Sequence, residues 1–269
     1  MSDFFKNKVV AITGGSDGIG KALIDVLIEK GAKIATCGRN QDKLYNLQVQ
    51  YSNHLLHTLV ADVSRYEDCK NFIESTIATF GGIDILINNA GISMRAMLQD
   101  AEVDVIKKVM EINFLGTVYC TKLALNTILE RKGTIVGVSS IAGFRGLPAR
   151  SGYSASKFAV NGWLESVRTE LLETGVNVMW VCPGFTTSNI RNAALNNKGE
   201  IQGESKMDET DMMKADKCAT LILNAIEKRK RTLVLTFTGK RAIWLNRLFP
   251  NFTDRMVRKF YFKNGHLIK

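Results

Sequence analysis

Short apolar runs rich in β-branched residues alternate along the chain with stretches whose apolar residues recur at helical spacing. The runs predict seven strands: Val9 to Thr13, Lys33 to Cys37, Leu55 to Val60, Asp84 to Asn88, Gly133 to Ser139, Val176 to Cys182 and Thr232 to Phe237. A helix-like or loop-plus-helix stretch follows each strand except the last. Strands joined by such crossovers lie parallel, so the pattern predicts a doubly wound α/β sheet of seven mainly parallel strands flanked by helices.

The composition agrees with a single α/β domain, because the 269 residues are 45% hydrophobic and include only 3 prolines. The 5 cysteines are odd in number, widely spaced and without a Cys-x-x-Cys pair. They predict reduced thiols, with no disulfide framework and no metal site. No cleavable apolar leader is visible, and no segment reaches about 18 uninterrupted apolar residues. We therefore expect a cytoplasmic chain that is neither secreted nor membrane-spanning.

A glycine-rich loop, Thr13-Gly-Gly-Ser-Asp-Gly-Ile-Gly20, follows the first predicted strand and leads into an amphipathic helix. Gly14 and Gly18 permit a tight turn and close approach of a ligand to the backbone, and Gly20 lets the helix pack on the strand. Free N–H groups at the start of the helix attract a pyrophosphate. The loop therefore predicts a dinucleotide site, although an ordinary glycine-rich turn is the alternative. The contacts expected there are Gly14, Ser16, Asp17, Gly18, Ile19 and Gly20.

The second predicted strand ends at Ala35-Thr-Cys-Gly-Arg39-Asn40, where many NAD-binding folds carry an acidic residue for the ribose 2′-hydroxyl. The guanidinium of Arg39 instead suits the 2′-phosphate of NADP, which a carboxylate would repel. Asp17 in the glycine loop opposes this interpretation, since a basic residue there would have strengthened it. The sequence predicts NADP(H) as the cofactor.

Tyr153 and Lys157 lie four residues apart in Gly152-Tyr-Ser-Ala-Ser-Lys157, so they share one face of a predicted helix. An ammonium close to the phenol would lower the pKa of Tyr153 from about 10. Such a tyrosine can donate a proton to a carbonyl or accept one from an alcohol. The same spacing also occurs in ordinary amphipathic helices that carry a lysine at their edge.

Seven motifs follow one another along the chain: Thr13-Gly-x-x-x-Gly-x-Gly20, Asp62-Val63, Asn88-Asn-Ala-Gly91, Asn113, Ser140, Tyr153-x-x-x-Lys157 and Pro183-Gly184. In order and approximate spacing the chain resembles the short-chain dehydrogenase/reductase family over nearly its whole length. The resemblance implies a Rossmann-like fold and an NADP-dependent oxidoreductase that interconverts ketones and alcohols. It also favours the catalytic interpretation of Tyr153 and Lys157 over the edge of an ordinary helix.

The resemblance assigns a role to each matching residue. Tyr153 is implied as the general acid/base, and Lys157 as its activator and as a ligand of the nicotinamide ribose. Ser140, thirteen residues before Tyr153, would orient the substrate. Asn113 would hold water in a proton relay to Lys157, with a buried structural amide as the alternative. The remaining cofactor contacts implied are Asp62, Val63, Asn89, Ala90, Gly91, Pro183, Gly184, Thr186 and Ser188.

Two segments are expected to meet the substrate. Phe144 and Arg145, with Leu147 and Arg150, stand between Ser140 and Tyr153 and are expected at the entrance of the site. We predict substrate contacts from Ser140, Phe144, Arg145 and Tyr153. A polar stretch within residues 186–211 is rich in Asn, Glu, Lys and Gly and predicts a substrate lid, because a loop of this length in a compact domain is usually functional.

The positive charge of the chain lies at its C-terminal end. Residues 228–269 contain 12 Lys and Arg and one acidic residue, Asp254, whereas the whole chain has a net charge of +10. Aromatic and aliphatic residues alternate with these cations in two short helix-like pieces broken at Pro250. We therefore divide the chain into an NADP-binding catalytic domain, 1–239, and a basic amphipathic extension of it, 240–269.

The extension suits peripheral contact with an anionic membrane. A solvated tail that caps the pocket, packing on another subunit, and docking of an acidic carrier protein are the alternatives. Nucleic acid is a poor candidate, because no recognition motif accompanies the charge.

A membrane-facing segment beside a ketone-reducing site favours a lipid-like substrate such as a 3-ketosphinganine, with hydroxysteroids and 3-oxoacyl compounds as alternatives. A non-catalytic NADP-binding scaffold or sensor is the alternative of another class. The family resemblance also implies a homodimer or homotetramer.

Overall fold

The computed structural model describes residues 3–203 and 212–268. Its strands are β1 (Val9–Thr13), β2 (Lys33–Gly38), β3 (Leu56–Val60), β4 (Ile85–Asn88), β5 (Thr134–Val138), β6 (Asn177–Cys182), β7 (Thr232–Val234), β8 (Phe262–Lys263) and β9 (His266–Leu267). Its helices are α1 (Gly18–Glu29), α2 (Gln41–Gln50), α3 (Tyr66–Phe80), α4 (Val103–Met110), α5 (Gly116–Glu130), α6 (Ser151–Glu170), α7 (Ala215–Glu227), α8 (Phe237–Leu248) and α9 (Pro250–Tyr261). A π-helical turn, Glu111–Leu115, separates α4 from α5, and a 3₁₀ turn, Ile141–Gly143, follows β5.

The first seven strands form one sheet in the order β3-β2-β1-β4-β5-β6-β7, and every neighbouring pair is parallel. The predicted doubly wound sheet of seven strands is therefore confirmed, and no antiparallel pair occurs among these seven. The strand order reverses between β1 and β4. In open α/β sheets a ligand binds at the carboxyl ends of the strands at this point of reversal.

The sheet is buried on both faces because its strands are apolar on both sides. The strand β1 is completely buried, with the burial running through Val9, Val10, Ala11, Ile12 and Thr13. On one face the sheet packs against α1 and α7, and on the other against α3, α5 and α6. These two cores hold the carboxyl ends of β1, β2, β4, β5 and β6 in fixed positions relative to one another.

The C-terminal residues form two helices and a two-stranded antiparallel hairpin of β8 and β9. Pro250 occupies the first turn of α9, where its missing N–H costs nothing, so the predicted break at this proline is present. The last strand of the main sheet is shorter than predicted, since it ends at Val234 and α8 begins at Phe237. The predicted domain boundary at residue 239 falls inside α8.

No helix among the described residues combines the length and the apolar character that crossing a bilayer requires. All five cysteines are free and buried.

Candidate active site

The glycine loop between β1 and α1 is tied to the end of β4 by the side chains of Thr13 and Asn89. The Thr13 hydroxyl accepts from the backbone N–H groups of Asn89 and Ala90, both at 3.0 Å. The Asn89 amide donates to the carbonyls of Thr13 and Gly14, also at 3.0 Å. Asn89 therefore braces the two strand ends that flank the point of reversal.

Two glycines of the loop adopt backbone conformations that other residues rarely reach. Gly14 has φ +69° and Gly18 has φ +53°. A Cβ atom on Gly14 would lie 3.0 Å from the Cα of Ala90, and a Cβ on Gly20 would lie 2.3 Å from the Gly14 carbonyl oxygen. Asp17 caps α1 by accepting from the N–H of Gly18 at 2.7 Å. The glycine loop therefore packs closely against the end of the sheet. This leaves open space on the side of the loop that faces away from the sheet.

That space is a cleft of about 500 Å³ at the carboxyl ends of the strands. Most predicted site residues line it: Gly14, Ser16, Asp17, Gly18, Ile19, Arg39, Asp62, Val63, Asn89, Ala90, Gly91, Ser140, Tyr153, Lys157, Pro183, Gly184, Thr186 and Ser188. Gly20, Asn113, Phe144 and Arg145 do not. Gly20 packs beneath the loop, in the packing role predicted for it, and its contact with the cofactor stays a prediction.

Residues from the predicted lid also reach the cleft. Its lining includes Asn189, Ile190, Arg191, Ala193 and Ile201. Arg191 donates to the carbonyl of Thr186 at 3.1 Å, and Ser188 lies against the glycine loop, where a Cβ on Gly18 would be 3.2 Å from its Cβ. The sequence of this stretch is polar and has no motif, so it did not predict which of its residues contact the cleft. Residues 204–211 of the predicted lid lie outside the described residues.

A second cation at the edge of the cleft was missed in the sequence. Lys43, in the first turn of α2, lines the cleft beside Arg39 and forms an ion pair with Asp17. The Asn40 side chain caps α2 by accepting from the N–H of Lys43 at 2.8 Å. The cap would have been detectable, because an Asn directly before a helix fixes the first turn and turns Lys43 toward the end of β2. The charge of Asp17 is therefore matched by Lys43, and Arg39 has no carboxylate partner among the described residues.

Tyr153 and Ser140 meet at the inner end of the cleft. Ser140 lies two residues beyond β5 and caps the 3₁₀ turn, accepting from the N–H of Ala142 at 3.1 Å. Burial raises the pKa of Tyr153 above its ordinary value, whereas a hydrogen bond with Ser140 and the charge of Arg150 lower it. The net direction contradicts the lowering expected from the sequence. The physical reason is that burial removes the water that would stabilise the charged phenolate.

Lys157 is almost fully buried on the same helix, α6. Its ammonium donates to the carbonyl of Val138 at 2.9 Å and lies 5.8 Å from the centre of the Tyr153 ring. Burial lowers the pKa of Lys157 to about 8. A Cβ on Gly91 would be 3.4 Å from the Lys157 nitrogen, so the small residue leaves the ammonium accessible from the cleft.

Asn113 occupies the π-helical turn and uses its side chain fully within the protein. Its amide oxygen accepts from the N–H of Ile92 at 2.8 Å, and its nitrogen donates to the Ile92 carbonyl and the Ser156 hydroxyl, both at 2.9 Å. Single π-helical turns inside helices are frequent at functional sites. These contacts match the structural alternative for the Asn113 side chain, and the water relay stays a prediction.

Asp62 and Val63 lie where the adenine end of a dinucleotide is expected. One carboxylate oxygen of Asp62 accepts from the N–H and the hydroxyl of Ser64 at 3.0 and 2.7 Å. Its other oxygen has no hydrogen bond among the described residues. This oxygen has the chemistry to accept from the amino group of adenine.

Phe144 and Arg145 contact the C-terminal helices instead of the cleft. Arg145 donates to Asn246 of α8 at 2.8 Å and pairs with Asp254 of α9 at 2.5 Å. The Asn246 amide donates to the Phe144 carbonyl at 3.1 Å. Neither residue lines the cleft, and their contact with the substrate stays a prediction. The Arg145 guanidinium instead binds two residues of the basic extension, Asn246 and Asp254.

The residues present fit a nicotinamide dinucleotide. The positive-φ glycines offer backbone to a pyrophosphate, the free Asp62 oxygen suits adenine, and the Lys157 ammonium suits ribose hydroxyls. Tyr153 and Ser140 at the inner end form a pair of hydroxyls that can bind one carbonyl oxygen.

Comparison with known proteins agrees with this arrangement. The sequence model of the short chain dehydrogenase family matches residues 8–199. Dehydrogenase/reductase SDR family member 7B of Mus musculus is 34% identical over 262 residues, which cover 94% of this chain and 81% of the relative. The uncharacterized oxidoreductase YxnA of Bacillus subtilis is 32% identical over 267 residues, which cover 97% of this chain and 74% of the relative.

Solved structures share the fold at lower identity. A short chain dehydrogenase/reductase from Burkholderia phymatum in complex with NAD superposes with a TM-score of 0.83 at 20% identity and covers 94% of this chain and 96% of its own. An alcohol dehydrogenase from Thermococcus sibiricus complexed with 5-hydroxy-NADP gives 0.75 at 23% identity and covers 86% and 96%. The chain belongs to the short-chain dehydrogenase/reductase family and is an oxidoreductase of that family.

Proposed function

We propose that the protein is an NADPH-dependent reductase of ketones, or in reverse a dehydrogenase of alcohols, with Tyr153 as general acid/base. The observation that carries this proposal is that Ser140, Tyr153 and Lys157 line one cleft, in which the buried Lys157 ammonium lies 5.8 Å from the centre of the Tyr153 ring. A reduced nicotinamide, when bound, supplies a hydride to the carbonyl carbon. The protein's own part is to bind the carbonyl oxygen and supply the proton.

The three side chains divide this work. Ser140 and Tyr153 hydrogen-bond the carbonyl oxygen, which becomes negative as the carbon is reduced. Tyr153 then donates its proton to that oxygen. The positive charge of the Lys157 ammonium stabilises the phenolate that remains on Tyr153, and this makes release of the proton easier. The raised pKa of Tyr153 keeps the phenol protonated and ready to donate at neutral pH.

The preference for NADPH rests on Arg39 and Lys43 at the adenosine end of the cleft. Arg39 is exposed and has no described carboxylate partner, so it can pair with a 2′-phosphate. Lys43 offsets the negative charge of Asp17, the residue that opposed the NADP assignment. In kinetics with both cofactors, Arg39→Asp is expected to reverse the preference by 10-fold or more. Equal use of NADH and NADPH by the unaltered enzyme overturns the preference and leaves the reaction type intact.

The substrate class is proposed as a hydrophobic, lipid-like carbonyl. Apolar side chains, Ile92, Ile112, Ile190 and Ile201, line the cleft near its inner part and the lid. Candidates are a 3-ketosphinganine, a 3-oxosteroid or its hydroxysteroid, and a 3-oxoacyl compound. A panel of these carbonyls with NADPH, followed by absorbance at 340 nm, tests the proposal, and absence of turnover for every lipid-like ketone beside turnover of small polar ones overturns it.

The alternative of another class is a non-catalytic NADP-binding scaffold or sensor. The complete set of Ser140, Tyr153 and Lys157 in one cleft disfavours it. The same panel separates the two, because a scaffold binds NADPH without consuming it.

We also propose that α8 and α9 form a peripheral membrane surface. On α9 the residues Phe252, Met256 and Phe260 are spaced by four and are 56%, 44% and 41% exposed. The adjoining side of α9 faces inward, where Thr253 and Tyr261 are buried. Trp244 on α8 is 57% exposed. The helix pair therefore exposes part of its apolar surface to water.

Cations accompany this apolar surface. Arg241, Arg247, Arg255, Arg258 and Lys259 are all exposed, whereas Asp254 is the sole acidic residue in positions 228–268. Exposed aromatic residues beside lysine and arginine match the chemistry of an anionic lipid surface, which offers both acyl chains and negative headgroups.

Removal of the extension is a poor test, because Arg145 and Arg150 pack against it. Paired substitutions Trp244→Ser and Phe252→Ser test the surface directly, with Leu172→Ser, a 73% exposed leucine remote from α8, as the matched control. Sedimentation with phosphatidylserine vesicles is expected to fall at least fivefold in the pair and to stay unchanged in the control. Equal sedimentation of all forms excludes the membrane surface. A shift in native mass without vesicles identifies a subunit interface instead.

A homodimer or homotetramer is proposed on the family resemblance alone. Sedimentation equilibrium of the full chain tests it, and a monomer at micromolar concentration overturns it.

A further inference from the structure

Two arginines that the sequence separates widely lie near the start of α6, outside the lining of the cleft that contains Tyr153. Arg95 follows β4, and Arg150 immediately precedes α6. The N–H of Ala96 donates to the carbonyl of Ala149 at 2.9 Å, which brings the two arginines onto adjacent stretches of backbone. Both side chains are partly buried.

The position of Arg95 is fixed from the lid side as well. Its N–H donates to the carbonyl of Leu195 at 2.8 Å, and the Gln202 amide donates to its carbonyl at 3.2 Å. Arg95 therefore stands where the strand end, the lid and the segment before α6 converge. Met94, its neighbour, packs in a small apolar cluster that includes Tyr153.

The position of Arg150 is fixed by the C-terminal extension. Its guanidinium donates to the hydroxyl of the buried Tyr261 at 3.3 Å and lies 5.6 Å from the centre of that ring. The preceding residue, Ala149, holds φ +58°, a left-handed conformation that costs energy in a residue other than glycine. The fold thus maintains an unfavourable backbone turn at the point from which Arg150 projects.

No carboxylate of the described residues forms an ion pair with either arginine. Neither Arg95 nor Arg150 has an ion pair within residues 3–203 and 212–268. Burial and then the charge of Arg150 lower the pKa of Arg95, and the charge of Arg150 also lowers the pKa of Tyr153. Two partly buried like charges repel each other and lose hydration, so a bound anion would stabilise both.

We propose that Arg95 and Arg150 form an anion-binding subsite that holds a carboxylate or phosphate group of the carbonyl substrate while its oxygen lies against Tyr153. This inference rests on the proposed ketone reduction and refines its substrate class. An acidic lipid-like ketone satisfies the two guanidinium groups. A 3-ketosphinganine carries an ammonium group that they repel, and a steroid carries no charge for them to bind.

The test uses the full chain saturated with NADPH, which fills the cleft around Arg39 and Lys43. Oxo acids of increasing chain length are compared with their methyl esters, which add one methyl group and carry no charge. The wild type is expected to favour the acid over the ester at least tenfold in kcat/KM at one or more chain lengths. Arg95→Met is expected to lower that acid-to-ester ratio at least tenfold, because a charge-assisted pair is lost. Arg231→Met, at an exposed arginine near β7, is the matched control and leaves the ratio unchanged.

An acid-to-ester ratio near one in the wild type, or an unchanged ratio in Arg95→Met, overturns the subsite. If no ketone is turned over, the proposed reaction fails and a binding measurement decides the subsite by itself. Calorimetric titration of inorganic phosphate into the NADPH-saturated protein is then expected to show a site that Arg95→Met removes and Arg231→Met keeps. Equal phosphate binding by all three proteins overturns the proposal.

Discussion

Arg145, between Ser140 and Tyr153 in the chain, forms an ion pair of 2.5 Å with Asp254, the sole acidic residue of positions 228–269. The side chain of Arg145 is 17% exposed and that of Asp254 62% exposed. The same guanidinium donates to Asn246, so it joins both C-terminal helices to the segment that follows Ser140, the serine proposed to bind the carbonyl oxygen. The extension is thereby part of the structure that positions the active site.

Arg145→Ala is expected to lower the free energy of unfolding by about 1–3 kcal/mol, because it leaves the Asn246 oxygen unpaired and removes a partly buried side chain. It should also lower kcat, since the segment after Ser140 loses its contact with α8. Asp254→Asn should cost about 1 kcal/mol or less, because the carboxylate is largely in water. Urea denaturation and steady-state kinetics measure both effects.

Arg231→Ala supplies the comparison for that experiment, since Arg231 pairs with Glu165 in a fully surface position, with 69% and 61% exposure. A loss of stability in Arg231→Ala as large as that in Arg145→Ala would show that Arg145 is only another surface arginine.

Tyr153→Phe removes the hydroxyl that we propose as the proton donor and keeps the ring. The expected result is a fall in kcat of about 10³-fold or more with the dissociation constant for NADPH within about threefold of wild type. Tyr45→Phe, at a tyrosine that is 64% exposed on α2, is the control for the loss of a hydroxyl elsewhere. Stopped-flow absorbance at 340 nm and NADPH fluorescence titration measure the two quantities. Turnover that persists in Tyr153→Phe would assign the proton to another group.

The sequence predicts most of the fold because strand and helix periods differ clearly along the chain. Each main-sheet strand was found, and the errors lie at the ends, as at Phe237, where a strand was expected to continue and a capped helix begins. The Thr236 side chain explains this error, because it accepts from the N–H of Gly239 and starts α8.

Most residues named from local motifs line one cleft, whereas Arg145, whose direction depends on packing, lies outside its lining. The roles assigned to all of these residues stay predictions. Arg145 was assigned to the substrate because it follows Ser140, but its direction is set by Asn246 and Asp254, about a hundred residues away. The pKa of Tyr153 likewise depends on burial by several segments, which a four-residue spacing cannot report. Long-range contacts of this kind leave no periodic pattern in the chain.

Asp17→Asn tests the charge balance at the adenosine end of the cleft. The Asn side chain can still accept from the N–H of Gly18 and cap α1, but it no longer carries the charge that pairs with Lys43. The KM for NADPH is therefore expected to fall about threefold to tenfold, with a smaller change for NADH, because Lys43 becomes free for the 2′-phosphate.

Two further variants complete that measurement. Lys43→Ala should raise the KM for NADPH, and Asp17→Ala should lower the melting temperature through loss of the cap. An unchanged ratio of the two cofactors in both Asp17→Asn and Lys43→Ala would remove Lys43 from cofactor selection.

The buried ammonium of Lys157 predicts a specific dependence of stability on pH. Burial lowers its pKa from 10.5 to about 8, so between these values the unfolded chain binds a proton that the folded protein has released. Stability attributable to this group therefore rises with pH through that window. Below pH 8 the folded protein carries the full cost of burying the charge, about 3 kcal/mol. Above pH 10.5 that cost is absent.

Lys157→Met isolates this effect, because the cysteine thiols and other titrating groups remain in both proteins and largely cancel in the difference. At pH 7 the variant should be more stable than wild type, because it buries no charge. The missing hydrogen bond to Val138 subtracts an amount from its free energy of unfolding that does not change with pH. That relative gain should shrink by about 2–3 kcal/mol between pH 7 and pH 10 in urea denaturation. Lys122→Met on the exposed side of α5 reports the effect of removing a surface lysine. A difference between wild type and Lys157→Met that does not vary with pH would mean that the Lys157 ammonium is hydrated in the folded protein.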